Sequence, residues 1–230
     1  MINNIELIKP LLNFENEGDF YMLYVFKRKK DQPEGERDNH QSVRIIRSYC
    51  IKSIEQLEKR YDEIIQLCEM FKARAYIHVQ KQNHKDVSLN MMVALAQRIQ
   101  DGNHEQQNLF DSVVGQLKTL EKRWIVDIDT KDLFFVEEVA EFINTLRPEG
   151  AKVETAIPTK NGVHLITKRF DVMEFKNKYP EIDIQKKNPT LLYYPESLEE
   201  KVPFIPINMS RSFYFSDLET FNLVKAKYGY

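Results

Sequence analysis

The sequence predicts a mixed α/β protein of the α+β kind, arranged as two lobes that form one compact unit. Residues 1–119 make an N-terminal α/β lobe and residues 120–230 a second lobe. Three observations carry this prediction. At about 150 residues per domain, 230 residues are enough for one large domain or two lobes sharing a core. Hydrophobic residues at 42%, charged residues at 30% and only 7 Gly are a globular composition, not a disordered or fibrous one. Residues 123–194 also switch repeatedly between strand and helix periodicity, in the order β-α-β-β-α-β.

The elements follow in chain order. Residues 20–26 are aromatic and β-branched and read as a strand. Residues 27–41 hold no apolar side chain to bury and read as a mobile loop. Residues 43–51 return as a second strand. Ser53 opens a helix, with Gln56 completing a capping box, and Ile54, Leu57, Tyr61, Ile64, Ile65, Cys68 and Phe71 follow at helical spacing. Residues 73–80 form another strand. Asp86 is placed to cap a helix through Ile99, and a weaker helix containing Gly115 ends near Leu120.

In the second lobe, residues 123–129 form a strand. Residues 132–146 form a helix with Phe135, Val139, Phe142, Ile143 and Leu146 on one side, stopped by Pro148 and Gly150. Residues 151–157 and 163–168 are strands around a turn at 158–162 that carries Asn161-Gly162. Residues 171–179 form a short helix, and residues 190–194 the last strand. This order is the split βαβ arrangement of ferredoxin-like and RNA-recognition-like domains. It names a fold that hosts many functions.

Composition narrows the chemistry. With 33 Lys+Arg against 35 Asp+Glu, no global field draws nucleic acid to the chain, so such binding requires a local basic patch. Cys50 and Cys68 are not in a paired spacing, which excludes a disulfide framework and a Cys-rich zinc site and suits buried thiols in a reducing cytosol. No apolar run reaches the roughly 18 residues a membrane helix requires, and no signal peptide is evident at the N-terminus. A cytoplasmic protein without a membrane partner is the expectation. Neither a Walker-type phosphate loop nor a Gly-x-Ser-x-Gly elbow is present.

Three features bear on function. Asp127 and Asp129 alternate with Val126 and Ile128, so both acids face one side of the strand about 6.5–7 Å apart along the chain. Asp is poor strand material. A pair of carboxylates suits Mg²⁺ or Mn²⁺, and a solvated acidic face is the other reading. Thr159 to His164 form a turn in which Gly162 permits close backbone approach and His164 opens the next strand, outward-facing and able to donate to a phosphate. A surface hairpin with an incidental His is the alternative. Asp183 stands between Ile182 and Ile184, ahead of Lys186-Lys187, and also reads as a loop acid before a strand. In a βαββαβ sheet the first and third strands are neighbours, so Asp127, Asp129 and His164 can share one face.

This order of an alternating Asp pair, a Gly-x-His hairpin and a flanked Asp resembles the archaeo-eukaryotic primase superfamily, in particular its primase-polymerase branch. Thirty-seven residues separate Asp127 from His164, and nineteen separate His164 from Asp183. The resemblance covers residues 120–200. It implies a two-lobed primase-polymerase-like fold with an RNA-recognition-like half at residues 120–230. The activity it implies is nucleotidyl transfer from nucleoside triphosphates to a 3′-hydroxyl or initiating nucleotide on a single-stranded DNA or RNA template. Two divalent metals, Mg²⁺ or Mn²⁺, would be held by Asp127, Asp129 and Asp183, the catalytic acids, and would align the attacking 3′-hydroxyl and the triphosphate. His164 is similar to the phosphate-contacting His of the second motif, with Lys160, Lys168 and Arg169 as further nucleotide-binding candidates. The chain departs from the pattern at Asn188-Pro189, where relatives are often Gly-rich, and carries no zinc-binding or helicase segment. A helicase or replication partner would then act in trans.

Two rivals belong to other classes. One is a non-catalytic nucleic-acid-binding module, for which the Lys27–Lys30 run and the aromatics Tyr193, Tyr194, Phe213, Tyr214 and Phe215 are candidate contacts. The other is an accessory protein of a phage or mobile element.

Overall fold

A computed structural model describes residues 1–29, 43–104, 108–117 and 122–195. The fold is mixed α/β, with six α-helices and two antiparallel sheets among the described residues. No described helix is long and apolar enough to cross a membrane.

The first sheet runs in the order β1 (Ile2–Asn3), β10 (Thr190–Tyr194), β4 (Arg74–Ile77), β2 (Asp19–Arg28), β3 (Val43–Ile51), with β5 (Gln82–Asn83) also paired to β2. The β2–β3 pair is the predicted antiparallel pair of strands, with Tyr21 opposite Ile51. The 27–41 loop falls mostly outside the described residues, as do Phe213, Tyr214 and Phe215. One face of this sheet packs on α2 (Ile54–Phe71), whose Leu57, Ile64 and Cys68 are buried. The Ser53 hydroxyl caps α2 by accepting from the Gln56 amide at 3.1 Å, while the Gln56 side chain reaches back to the Lys52 amide. α1 (Ile5–Ile8), continued by a 3-10 turn at Lys9–Leu11, closes one end of the same core. On the other face, α3 (His84–Gln100) and α4 (Leu109–Gln116) cover Phe20 and Met22.

α3 starts two residues before the expected Asp86 cap. Asn83 is the cap: its side chain accepts from the Lys85 amide at 3.0 Å and also donates to Asp19 and the Glu17 carbonyl. A residue tied to the neighbouring strand fixes the start of the helix more firmly than an exposed Asp inside the first turn.

The second sheet has the order β7 (Val153–Pro158), β8 (Val163–Thr167), β6 (Trp124–Ile128), β9 (Asp183–Gln185), antiparallel throughout. α5 (Leu133–Thr145) and α6 (Val172–Lys178) cover one face, and the Asp132 and Asp171 side chains cap their N-termini. Val126, Ile128, Val163 and Leu165 point into that layer against Val136, Val139, Ile143 and Phe175.

One strand assignment is corrected. Residues 190–194 were expected to close the β-α-β-β-α-β sheet, but β9 does so, and β10 instead crosses into the first sheet between β1 and β4. The reason is burial on both faces: every residue of β10 is buried, which suits an interior strand rather than one with a solvated side. β9 has only three residues, one of them an exposed acid, so it carries no periodicity to read.

The opposite face of the second sheet turns toward the first lobe. Ile125, Ile157 and Ile166 join the core formed by Tyr21, Leu23, Ile77 and Leu192. Asn4, 1% exposed, ties the sheets together by donating to the Pro158 carbonyl at 2.9 Å and the Leu191 carbonyl at 2.8 Å. Arg123 adds bonds to the Leu11 carbonyl and to Glu154. Gln80 donates to the carbonyls of Arg123 and Lys186. One face of the second sheet therefore shares a hydrophobic core with the first sheet, while its other face packs a separate core under α5 and α6.

Candidate active site

Along the face of β6 that turns to the first lobe, solvent access increases stepwise. Ile125 is buried, Asp127 is partly exposed, and Asp129, just past the strand end, is exposed. Register places Asp127 directly opposite His164 on β8 and directly opposite Asp183 on β9. Opposed residues of an antiparallel pair share a face with Cβ atoms about 4.5–5.5 Å apart. The three sequence-predicted acids thus reach one groove, lined by Asp127, Asp129, Asp183, Glu181, Thr130 and Phe135. Four carboxylates and no basic side chain line it, so its field favours cations. Among the described residues, no group of three or more His, Cys, Asp or Glu side chains is placed so that it could hold a metal ion. The fit to Mg²⁺ or Mn²⁺ rests on the donor set, because such ions take one or two carboxylates and complete their shell with water and substrate phosphates.

Asp127 is held from two sides. Its Oδ2 accepts from Gln185 Nε2 at 3.0 Å, and Oδ1 lies 3.4 Å from His164 Nε2. Asn188 in turn donates to Gln185 Oε1 at 3.0 Å, orienting the amide. Burial alone would raise the Asp127 pKa. The neighbouring His164, then Arg28 and the Gln185 amide, outweigh it and hold the carboxyl below its ordinary value. Each carboxylate oxygen keeps lone-pair capacity beyond these contacts.

His164 is not outward-facing as expected. It is 6% exposed at the junction of the lobes, with Nδ1 3.0 Å from the Thr190 hydroxyl at the start of β10. The crossing of β10 into the first sheet supplies this partner. In the neutral tautomer that carries its proton on Nε2 toward Asp127, Nδ1 accepts from the Thr190 hydroxyl; in the imidazolium Nδ1 donates to it.

The hairpin before His164 closes through Thr159, whose amide donates to the Gly162 carbonyl at 2.8 Å while its hydroxyl accepts from the Gly162 amide at 3.1 Å. Lys160, on this turn, sets its ammonium 5.8 Å from the Tyr194 ring centroid. Lys168 and Arg169 lie past the far end of β8, four residues or more from His164 and so about 13 Å along the strand. The structure does not bring them to the groove.

Sequence reasoning missed a basic and aromatic cluster contributed by the first sheet. Arg28 lies over Tyr76 at 5.2 Å, Arg74 over Tyr194 at 4.7 Å, and Phe26 stacks on Tyr76 at 4.6 Å. The charge of Arg28 reaches Asp127, so this cluster adjoins the acidic one. A signal was present in the alternation of Arg74 with Tyr76 and of Phe26 with Arg28. Tyr193 and Tyr194 are 1% and 2% exposed, which makes them core residues and not open stacking platforms. A second cavity of about 130 Å³, between β2, β4 and α4, is lined by His78, Tyr24, Asp111 and Lys187.

Comparison with protein-family models, curated proteins and solved structures finds no match to this chain.

Proposed function

We propose that the chain is a metal-dependent nucleotidyltransferase of primase-polymerase type, adding nucleotides from triphosphates to a 3′-hydroxyl or an initiating nucleotide on a single-stranded template. The observation that carries this reading is the convergence of Asp127, Asp129 and Asp183 on one groove, with Asp127 fixed between His164 and Gln185. Mg²⁺ or Mn²⁺ held by these acids would neutralise triphosphate charge and favour ionisation of the attacking hydroxyl. Asp127 stays ionised across the neutral range, because its carboxyl is held below the usual value. Asp129 and Asp183 are exposed and able to turn toward a ligand. His164 offers Nε2 to a phosphate oxygen in exchange for its approach to Asp127. Arg28, whose charge reaches Asp127, would add positive charge beside a bound triphosphate, with Lys160 on the neighbouring turn as a further candidate. Among the described residues, Tyr76 and Tyr194 are buried and present no open stacking face.

The His164→Ala variant tests the reading. Its nucleotide affinity in Mn²⁺ should fall about 5- to 150-fold, the scale of one lost hydrogen bond to a charged group. Affinity for single-stranded DNA or RNA should change little, since strand contacts are spread over many residues. Titration of both ligands at one salt concentration reads the outcome. Unchanged nucleotide affinity with weakened strand binding would make the sheet a strand platform and end the polymerase reading.

A further inference from the structure

α3 carries two apolar faces, and the fold uses one. Val87, Met91, Ala94 and Leu95 pack over Phe20 and Met22. On the other side Leu89 and Ile99 are each 53% exposed, Met92 and Val93 are each 70% exposed, and Ala96 is exposed between them. A helix that covers a sheet needs a single apolar stripe. Four large apolar side chains this exposed lie together on one side of a single helix.

The sequence of the stripe says what covers it. Leu89, Met92, Ala96 and Ile99 are spaced 3-4-3, the a/d pattern of a coiled-coil seam. That spacing reads the same in both directions. Two antiparallel copies therefore set Leu89 opposite Ile99 and Met92 opposite Ala96, large against small at the centre. The flanking Ser88, Asn90, Gln97 and Gln100 are uncharged, so a twofold axis brings no like charges together there. Lys85 lies in line with the stripe one turn before Leu89. In a parallel pair it would face its own copy. In an antiparallel pair it meets the carbonyl end of the partner helix, near Asp101, where a cation is favoured. The helix of 17 residues gives a seam about 25 Å long.

We propose that the chain forms a homodimer through antiparallel pairing of α3 with α3 of a second copy. The inference is independent of the nucleotide chemistry, because it rests on α3 alone.

Sedimentation velocity of the full chain from about 1 to 100 μM tests it. Wild type should shift from monomer to dimer within this range, and Met92→Glu should weaken association at least about tenfold with an unchanged circular dichroism spectrum. Direction is read by cross-linking. Val93→Cys, nearest the twofold axis, should cross-link to its copy. Leu89→Cys should not, since antiparallel pairing separates the two copies by about 15 Å. A wild-type chain that stays monomeric, a dimer indifferent to Met92→Glu, or equal cross-linking of both Cys variants would overturn the proposal.

Discussion

Nucleotide incorporation should fall by about 10³-fold or more in the Asp127→Asn variant, equivalent to about 4 kcal/mol of lost transition-state stabilisation. Asp127 is the acid at the centre of the arrangement. It is the only one of the three set in register against both other sequence-predicted groups on neighbouring strands, His164 on β8 and Asp183 on β9. Asn keeps the size and can still accept from Gln185, so the variant removes charge and leaves shape. Asp129→Asn and Asp183→Asn should act in the same direction, less severely if each shares its task with Glu181 on the groove wall.

Stability responds differently from activity in this variant. Removal of a buried, uncompensated acid would stabilise the fold, and the Asp127-Asp129 pair viewed as sequence suggests that outcome. In the structure the charge of Asp127 is compensated by His164, Arg28 and Gln185, and its carboxyl sits below the ordinary range. A group of this kind stabilises the fold above the unfolded carboxyl pKa of about 4, and its contribution disappears as pH falls through the lower folded value. Urea midpoints should therefore be lower for Asp127→Asn than for wild type at neutral pH and converge at acid pH. Retained incorporation in a folded Asp127→Asn protein would remove the proposed mechanism.

Gly162→Ala should be the most damaging single methyl group in the second lobe. A Cβ at Gly162 would overlap the Ile128 carbonyl oxygen and lie 2.8 Å from the Thr130 amide nitrogen. Both are backbone atoms at the end of β6, so no side chain can swing away. The requirement is space, since the backbone of Gly162 is not left-handed. The expected cost is about 3 kcal/mol or more, at the upper end of overpacking. The displaced segment would be Ile128–Thr130, which carries Asp129. A measured denaturation midpoint equal to wild type would show that the 158–162 turn does not press on β6.

These two positions also show what the sequence made legible. Alternation fixed the face of Asp127 and Asp129, and the β-α-β-β-α-β order made β6 and β8 neighbours, so the approach of His164 to Asp127 followed from pattern and topology together. The Gly162 close approach was equally readable, as a glycine in a short turn beside an acid-bearing strand. The role of Thr190 was not. It depends on β10 leaving the second sheet for the first, a choice set by burial of Leu191, Leu192, Tyr193 and Tyr194 on both faces, and a run of apolar residues does not say which sheet it completes. Arg28 and Arg74 were missed for a related reason. The cluster they form, and the reach of Arg28 to Asp127, arise through pairings between strands more than 45 residues apart in sequence. β9 escaped because three residues are too few to show a period.

In the proposed mechanism Asp127, Asp129 and Asp183 form one cation site that presents a nucleotide. Crystals soaked with Mn²⁺ and a non-hydrolysable nucleoside triphosphate test it directly, through anomalous scattering from manganese. An anomalous peak is expected in the groove against Asp127, Asp129 and Asp183, with the phosphates running toward Lys160 and Arg28. Manganese bound elsewhere, or a nucleotide seated away from these acids, would contradict it.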